Sequence, residues 1–153
     1  MKEIITIRAS KFLSDELAKK VAQMCWGTSA PQYVNCVRKD VFDGLTDEND
    51  CFEVIAVTAK GEVVGRVHCI RNETDFSLWC YGDLFVTPEY RRMGIARQMA
   101  ETAISRLSEM GAAVLRCYVD PDNMPSRKLQ KSIGFEEKPF KTFNLLDNDG
   151  EIM

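Results

Sequence analysis

The chain has 153 residues, 45% of them hydrophobic and 28% charged, and a formal net charge of −3. This length predicts a single domain over residues 1–153, and the acidic balance argues against nucleic acid as the main partner, because phosphate binding needs a basic surface. No apolar run approaches membrane-spanning length and the N-terminus lacks the apolar core of a signal peptide, so no membrane partner is expected.

The first part of the chain predicts a strand followed by two helices. The segment EIITIR (3–8) is rich in Ile and Thr, which favour β-strands. Ser14 is a typical N-cap for a helix with an apolar stripe of Leu17, Ala18, Val21 and Met24. After a loop at 25–30, Pro31 suits the first turn of a second helix, which Gly44 ends.

Three strands and a helix are predicted in the middle of the chain. The segments CFEVIAVTA and EVVGRVHCI flank Lys60-Gly61, which is a β-hairpin signal, and SLWCYGDLFV (77–86) adds a third strand. The helix that follows has Gly111 as its expected C-cap and an apolar stripe of Ile95, Met99, Ala103 and Leu107.

The C-terminal part predicts three more strands and a short helix. AAVLRCYV (112–119) is expected to be a buried strand, a helix spans about 125–132, and GFEEKPF (134–140) and KTFNLL (141–146) finish the chain as strands. The resulting order, β-α-α-β-β-β-α-β-α-β-β, predicts a mixed α/β sheet in which the early strands pair consecutively and a helix connects later ones.

The cysteine usage indicates free thiols. The six cysteines form no CxxC pair, each lies among apolar neighbours, and the single histidine cannot complete a zinc knuckle. We therefore expect no metal and a reducing, cytoplasmic compartment.

The turn within VTPEYRRMGIARQMAE (86–101) has residue types that suit an anion site. The first N–H groups of a helix lack intrahelical partners and lie at the positive end of the helix dipole. Gly94 removes the side chain that would block close approach, Ala96 keeps the next turn narrow, and Arg91 or Arg92 adds positive charge. We expect a pyrophosphate here, although a Walker loop and a G-x-G-x-x-G dinucleotide fingerprint are both excluded by the spacing.

The residues of this turn resemble a motif of a known protein family. Arg91-x-x-Gly94-x-Ala96 resembles the [QR]-x-x-G-x-[GA] motif of the GNAT superfamily of N-acetyltransferases, and LFVTPEYRRMGIA is similar to its V-x-P-x-x-R pattern. Further on, YVDPDNMPSRKLQKSIGF resembles its V-x-x-x-N-x-x-[AS]…GF segment. The resemblance covers nearly the whole chain. It implies a mixed, mostly antiparallel, twisted α/β sheet of about seven strands flanked by about four helices.

The resemblance also implies acetyl-CoA as co-substrate. Strand residues Phe85 and Val86 would hydrogen-bond its pantetheine arm and leave a backbone N–H near the thioester carbonyl. Asn123 and Ser126 would contact the pantetheine or adenosine side, and Asn123 equally suits a helix N-cap. The pyrophosphate would be cradled by the backbone N–H groups of the turn, at Met93, Gly94, Ile95, Ala96 and Arg97.

Transfer of an acetyl group to an amine requires a base, and Asp83 is the first candidate. Asp83 lies on the strand just ahead of the pantetheine contacts, and alternation places Tyr81 on the same face, so that a phenol or a water could hold the base. The alternative is a solvated aspartate at a strand edge. Glu53 and His68 on neighbouring strands are weaker candidates, and a lone histidine on an apolar strand is more often simply packed.

The sequence departs from the family pattern at Gln130. Many relatives have a tyrosine seven residues after the asparagine, which protonates the departing thiolate, and an amide cannot do this. Tyr118 is nearby in sequence, on a different element. Another group therefore serves as acid, or the thiolate leaves unassisted, or the protein is a poor catalyst.

The acceptor is less well defined. The resemblance places its contacts in the first two helices and the loop between them, where Trp26 and Tyr33 can line a pocket or belong to the core. The acidic loop at 46–50 can attract a cation or be a solvated turn. We expect a small-molecule primary amine, with a peptide N-terminus or protein lysine as the alternative. A non-catalytic acyl-CoA sensor and a homodimer both remain open.

Overall fold

The structure, a computed structural model, describes residues 5–10, 14–37, 51–72, 74–117, 119 and 122–137. The chain divides into two compact units, Met1–Cys117 and Tyr118–Met153. Gly44, the acidic loop at 46–50 and the last two predicted strands lie outside the described residues, apart from 134–137, which are not in a strand.

The first unit contains an open sheet and its helices. In chain order its elements are β1 Ile5–Ser10, α1 Asp15–Trp26, α2 Pro31–Val37, β2 Cys51–Thr58, β3 Val63–Arg71, β4 Leu78–Val86, a 3₁₀ turn Pro88–Tyr90, α3 Ile95–Glu109 and β5 Val114–Cys117. The described part of the sheet has the order β1-β2-β3-β4-β5. All neighbouring pairs are antiparallel except β4 and β5, which are parallel, so the predicted mixed and mostly antiparallel α/β fold is confirmed.

Helix α1 covers one face of this sheet and begins where the sequence predicts. The Ser14 side chain accepts a hydrogen bond from the Leu17 N–H at 3.2 Å, and Gly27 ends the helix with φ +71°. The predicted loop at 25–30 therefore begins two residues later than expected, because the left-handed residue that stops the helix is Gly27. Helices α1 and α2 share a core cluster with β2 and β3, formed by Ala18, Val21, Ala22, Val34, Val37, Ile55, Val57 and Val63.

Helix α3 covers the opposite face. Its predicted apolar stripe is confirmed, since Ile95, Met99, Ala103 and Leu107 are all buried. Gly65 of β3 lies directly beneath Met99, and a Cβ at Gly65 would come within 2.8 Å of Met99 Cε and 3.3 Å of Ala56 Cβ. Helices on both faces explain why every residue of β2 is buried, which is the pattern of a central strand.

Strand β5 differs from its prediction. The sequence predicts a buried strand, but Val114 is 46% exposed and the other three residues are only partly buried. The reason is its position, because β5 is the last strand of the described sheet and has a strand neighbour, β4, on one side.

The second unit contributes helix α4, Met124–Ile133, close to the predicted 125–132. The Asn123 side chain accepts a hydrogen bond from the Ser126 N–H at 3.1 Å, so the expected N-cap is present. Gly134 follows the helix with φ +123°.

The close packing of α3 on β3 predicts different responses at two strand glycines. Gly65→Ala should lower the free energy of unfolding by about 1–3 kcal/mol, because the added methyl overpacks the contact with Met99 and Ala56. Gly82→Ala on β4 is the matched control, since a Cβ added there would meet no atom within 4 Å, and should change stability by less than about 0.5 kcal/mol. Urea unfolding measures both, and equal losses would contradict the packing described.

Candidate functional site

Strand β4 pairs with its two neighbours over different lengths. It is antiparallel to β3 from Trp79 to Val86, whereas its parallel pairing with β5 ends at Tyr81–Cys117 among the described residues. From Gly82 onwards, β4 therefore has no strand partner on the β5 side within the part of the chain that the structure describes. An open strand edge of this kind can hydrogen-bond an extended ligand.

A bulge interrupts β4 where the two pairings diverge. On β3, Arg66 and His68 are two residues apart, but their partners on β4, Phe85 and Gly82, are three apart. The extra residue lies in the segment that contains Asp83. Bulges of this type twist a strand and redirect its groups, and they are frequent beside functional sites. The backbone of Asp83 belongs to β4, and its side chain lies outside the described residues.

The turn from β4 to α3 has the geometry of an anion-binding concavity. Arg92 and Gly94 both have left-handed backbones, with φ of +64° and +79°. The first hydrogen bond of α3 runs from the Gln98 N–H to the Gly94 carbonyl at 3.0 Å, and no side chain caps the helix. The N–H groups of Ile95, Ala96 and Arg97 therefore precede the intrahelical ladder, as an anion requires.

Within the part of the chain that the structure describes, the space in front of this turn is open. A Cβ at Gly94 would meet no described atom within 4 Å, and Arg92 and Met93 are exposed. Arg91 has a different position, because its Nε donates to the Val86 carbonyl at 2.8 Å and its guanidinium lies 5.5 Å from the centroid of the Phe85 ring. Arg91 thus ties the turn to the end of β4, next to the open strand edge.

A second group of polar side chains is buried in the sheet, and we call it the ionic cluster. It consists of Glu53 on β2 with Arg66 and His68 on β3, which are 3%, 1% and 8% exposed. Arg66 donates to both Glu53 carboxylate oxygens at 2.8 Å, a bidentate pair. His68 Nδ1 lies 2.5 Å from Glu53 Oε1.

The cluster keeps Glu53 ionised despite its burial. Desolvation raises the pKa of this carboxyl, but the hydrogen bonds and charges of Arg66 and His68 outweigh it, so the pKa lies below its usual value. With Arg66 always protonated, the pair is neutral, and protonation of His68 adds one positive charge to the interior.

The ionic cluster extends towards the end of α1. The Arg66 guanidinium carbon lies 5.6 Å from the centroid of the Trp26 ring. The Trp26 ring contacts that of Tyr33 on α2 in a tilted arrangement, with an interplanar angle of 36° and centroids 5.6 Å apart. Trp26 is 40% exposed and Tyr33 packs partly against the core. The two aromatic residues predicted at the acceptor side therefore lie together, beside a buried charge.

Of the three predicted catalytic residues, Tyr81 is the one whose side chain the structure describes. Tyr81 is 2% exposed and pairs with Cys69 on β3. Alternation along β3 places Cys69, and with it Tyr81, on the sheet face covered by α3, whereas His68 lies on the other face. Tyr118 lies outside the described residues, as does the side chain of Asp83, so the predicted face shared by Asp83 and Tyr81 stays a prediction.

Within the second unit, the Gln130 side chain is buried. It is 5% exposed, and its backbone carbonyl accepts hydrogen bonds from the Gly134 and Phe135 N–H groups at 3.2 and 3.0 Å. The contacts of Asn123 and Ser126 with a cofactor stay predictions.

Sequence reasoning named Glu53 and His68 separately and missed Arg66. The β-hairpin at Lys60-Gly61 indicates which residues pair. Counting outward from the turn brings Glu53 opposite His68, and the observed strand register has the same pair. Arg66 then follows by alternation on the same face as His68.

Within the described residues, no group of three His, Cys, Asp or Glu side chains is arranged to hold a metal ion. No helix in the described ranges is both long enough and apolar enough to cross a membrane.

One comparison with known proteins identifies a family. Residues 15–135 match the family model described as "Acetyltransferase (GNAT) family". A search of curated protein sequences found no significant match.

The fold is also similar to solved structures. One is AAC(6')-Iy in complex with the bisubstrate analog CoA-S-monomethyl-acetylneamine, with a TM-score of 0.69 and 21% identity over 92% of this chain and 97% of that one. Another is the aminoglycoside 6'-N-acetyltransferase AAC(6')-Ih from Acinetobacter baumannii, with a TM-score of 0.69 and 17% identity over 92% and 97% of the two chains. A third is glucosamine-6-phosphate N-acetyltransferase from Arabidopsis thaliana, with a TM-score of 0.71 and 12% identity over 95% and 100%.

The ionic cluster predicts a pH-dependent loss of stability when Glu53 is neutralised. At pH 7, Glu53→Gln should cost about 3–5 kcal/mol of unfolding free energy, because it leaves the buried Arg66 charge uncompensated. The pKa of Glu53 is lowered by folding, so its contribution is present at neutral pH and is lost as pH falls through the folded-state value. The difference between parent and variant should therefore shrink in acid.

The control is Glu101→Gln on α3, where Arg97 Nε and the exposed carboxylate are 2.7 Å apart. An exposed pair contributes less than about 1 kcal/mol. Urea unfolding at neutral and acidic pH measures both variants, and a Glu53→Gln loss as small as that of Glu101→Gln would contradict the buried pairing.

Proposed function

The chain belongs to the GNAT family of acetyltransferases, and we propose that it transfers the acetyl group of acetyl-CoA to a primary amine of a small molecule. The acceptor nitrogen attacks the thioester directly, and the sulfur leaves as CoA thiolate. Metal chemistry has no part in this proposal, which requires only positioned protein groups.

One observation carries the proposal, namely the turn between β4 and α3. Its left-handed residues Arg92 and Gly94 precede a helix N-terminus that has no side-chain cap, and no atom of the described residues lies within 4 Å of a Cβ added at Gly94. This arrangement suits a pyrophosphate, since the dipole and the N–H groups both favour negative charge. Arg92, which is exposed, supplies further positive charge.

The pantetheine arm would follow the open edge of β4. Phe85 and Val86 lie on the segment of β4 beyond its pairing with β5, directly before the turn that Arg91 anchors. An amide-containing arm laid along this edge would add to the sheet as a short strand does. The thioester would then lie near the bulge, where a backbone N–H can stabilise the oxyanion. Asn123 and Ser126 remain proposed cofactor contacts.

The departure of the thiolate does not require a tyrosine. A thiol has an ordinary pKa of about 8.5, so its thiolate is a competent leaving group near neutral pH. Gln130 stands where the family pattern has a tyrosine, and we propose that the sulfur leaves without a dedicated acid. If another residue does protonate the thiolate, Tyr118 and Tyr81 are the candidates.

The names of similar enzymes and two aromatic side chains favour a small amine as the acceptor. The similar structures include enzymes named for aminoglycosides and for glucosamine-6-phosphate, which are amine-bearing sugars. In this chain Trp26 and Tyr33 lie together at the end of α1, where they can contact a sugar-sized molecule. A peptide or protein amine is the alternative acceptor, and binding of acyl-CoA without turnover is the non-catalytic alternative.

Two glycines at opposite ends of α3 separate cofactor binding from backbone strain. Gly94 and Gly111 have φ of +79° and +83°, and an added Cβ meets nothing within 4 Å at either. Gly94→Ala and Gly111→Ala should therefore lose similar amounts of stability. Only Gly94→Ala should weaken CoA binding, because its methyl occupies the phosphate space. The apparent Kd for CoA should rise about tenfold, and the thermal stabilisation by CoA should be correspondingly smaller.

Thermal-shift titration of the parent and both variants with CoA measures this difference. If the parent showed no CoA-dependent shift, or if both variants lost it equally, the assignment of the turn would be wrong.

Turnover is tested by the release of free thiol from acetyl-CoA in the presence of pooled primary amines, beginning with aminosugars and including polyamines and a lysine peptide. We expect at least one small amine to raise the rate well above hydrolysis, and mass spectrometry should find the product one acetyl group heavier. Activity restricted to the peptide would support the protein-acetylating alternative. CoA binding without any turnover would support the sensor.

A further inference from the structure

We propose that His68, held by Glu53, is the general base that takes the proton from the acceptor amine. The inference rests on the proposed transfer reaction and assigns within it a role that the sequence favoured for Asp83. It follows from the hydrogen bond at the imidazole, from the glycine that faces His68 on β4, and from the charges around the ring.

The contact with Glu53 sets the protonation pattern of the ring. Nδ1 lies 2.5 Å from Glu53 Oε1, and a carboxylate only accepts, so Nδ1 carries the hydrogen. In the neutral ring Nε2 then has the lone pair, which is the form a base requires. The same carboxylate accepts from Arg66 at both oxygens, which fixes its orientation and therefore that of the ring.

The strand register places a glycine opposite His68. His68 on β3 pairs directly with Gly82 on β4, so a side chain at residue 82 would have its Cβ about 5 Å from that of His68. Residue 82 is glycine, and no atom of the described residues lies within 4 Å of its Cβ position. This space therefore lies across from His68 on the neighbouring strand, immediately before the bulge where the thioester is proposed to lie.

Packing alone does not account for the ionic cluster. Three ionisable side chains are removed from water, and replacing such groups by well-packed apolar residues is often neutral or stabilising. Here Glu53, Arg66 and His68 are buried on β2 and β3, on the face of Ile55 that packs against α1 and α2. A buried, hydrogen-bonded titratable group that faces a glycine at a strand bulge is a candidate for a catalytic base.

Other titratable groups share this face of the sheet. By alternation from Glu53 and Gly82 they are Cys51 on β2 and Cys80 on β4, and Asp83 follows Gly82 in the bulge. Trp26 approaches from α1 and carries no charge. The neutral Glu53–Arg66 pair lets the imidazole gain one proton without bringing two uncompensated cations together.

The proton balance of the reaction is complete with this base. The bound ammonium gives one proton to His68 Nε2, which yields the free amine and an imidazolium. The amine lone pair then forms the C–N bond, and collapse of the tetrahedral intermediate breaks the C–S bond. The second nitrogen proton passes to the thiolate, which gives CoA thiol, and the imidazolium returns its proton to water.

The chain has a single histidine, which makes the test direct. In the parent protein, ¹⁵N NMR should show the Nδ1–H tautomer at neutral pH. The midpoint of the imidazole titration should coincide with the midpoint of the acid limb of kcat/KM for the best amine, since that limb reports the base of the free enzyme. A limb displaced from the imidazole titration, or the opposite tautomer, would overturn the proposal.

The variant His68→Gln separates basicity from structure, because an amide can still donate to Glu53 but cannot accept the proton. Its CoA-dependent thermal shift should equal that of the parent, while kcat should fall at least about 100-fold and the acid limb should disappear. In His68→Ala, added imidazole should restore part of the rate. Restoration of rate would not occur if His68 only supported the fold.

Asp83→Asn is the competing variant, and it should lose less activity than His68→Gln. The reverse order, or a His68→Gln rate within about threefold of the parent, would overturn the assignment while leaving the transferase function intact. A parent chain that acetylates no amine would instead remove the reaction, and the base with it.

Discussion

The pairing of strand β4 is the constraint on which the rest of the site depends. β4 must remain paired with β3 to complete the sheet, yet its described pairing with β5 ends at Tyr81. The bulge between Gly82 and Phe85 changes the twist at the same place. Among the described strands, these two features leave the second half of β4 with one open edge. The turn that follows directs the N-terminus of α3 to the end of that edge. A ligand with an extended amide arm and a phosphate group matches both surfaces.

The two faces of the sheet position different parts of the proposed site. On one face α3 packs so closely that a Cβ at Gly65 would displace the end of the Met99 side chain, and this contact positions the helix whose N-terminus meets the proposed phosphate. On the other face α1 and α2 cover a core that includes the ionic cluster, with Trp26 between the buried Arg66 and solvent. Chemistry at the bulge would therefore draw its cofactor from the α3 side and its acceptor from the α1 side.

Much of this fold could be predicted from the sequence because its local signals agree with one another. Ser14 and Asn123 cap their helices, the stripe on α3 is buried, and Gly94 has the positive φ that its turn requires. Two features could not be predicted from local patterns, because the exposure of β5 depends on where it lies in the sheet and the bulge depends on the register between two strands. Arg66 was missed for a different reason, since its partner lies 13 residues away and is found only when the register of the hairpin is followed.

The central claim is that CoA lies along β4 with its pyrophosphate at the α3 N-terminus. Amide NMR on the ¹⁵N-labelled chain, titrated separately with pyrophosphate, pantetheine and CoA, tests it most directly. Pyrophosphate should shift the amides of residues 93–97, pantetheine those of residues 82–86, and CoA both sets. If CoA left both sets unchanged and shifted only amides elsewhere, such as those of residues 98–109, the cofactor would bind another surface and the proposed site would be wrong.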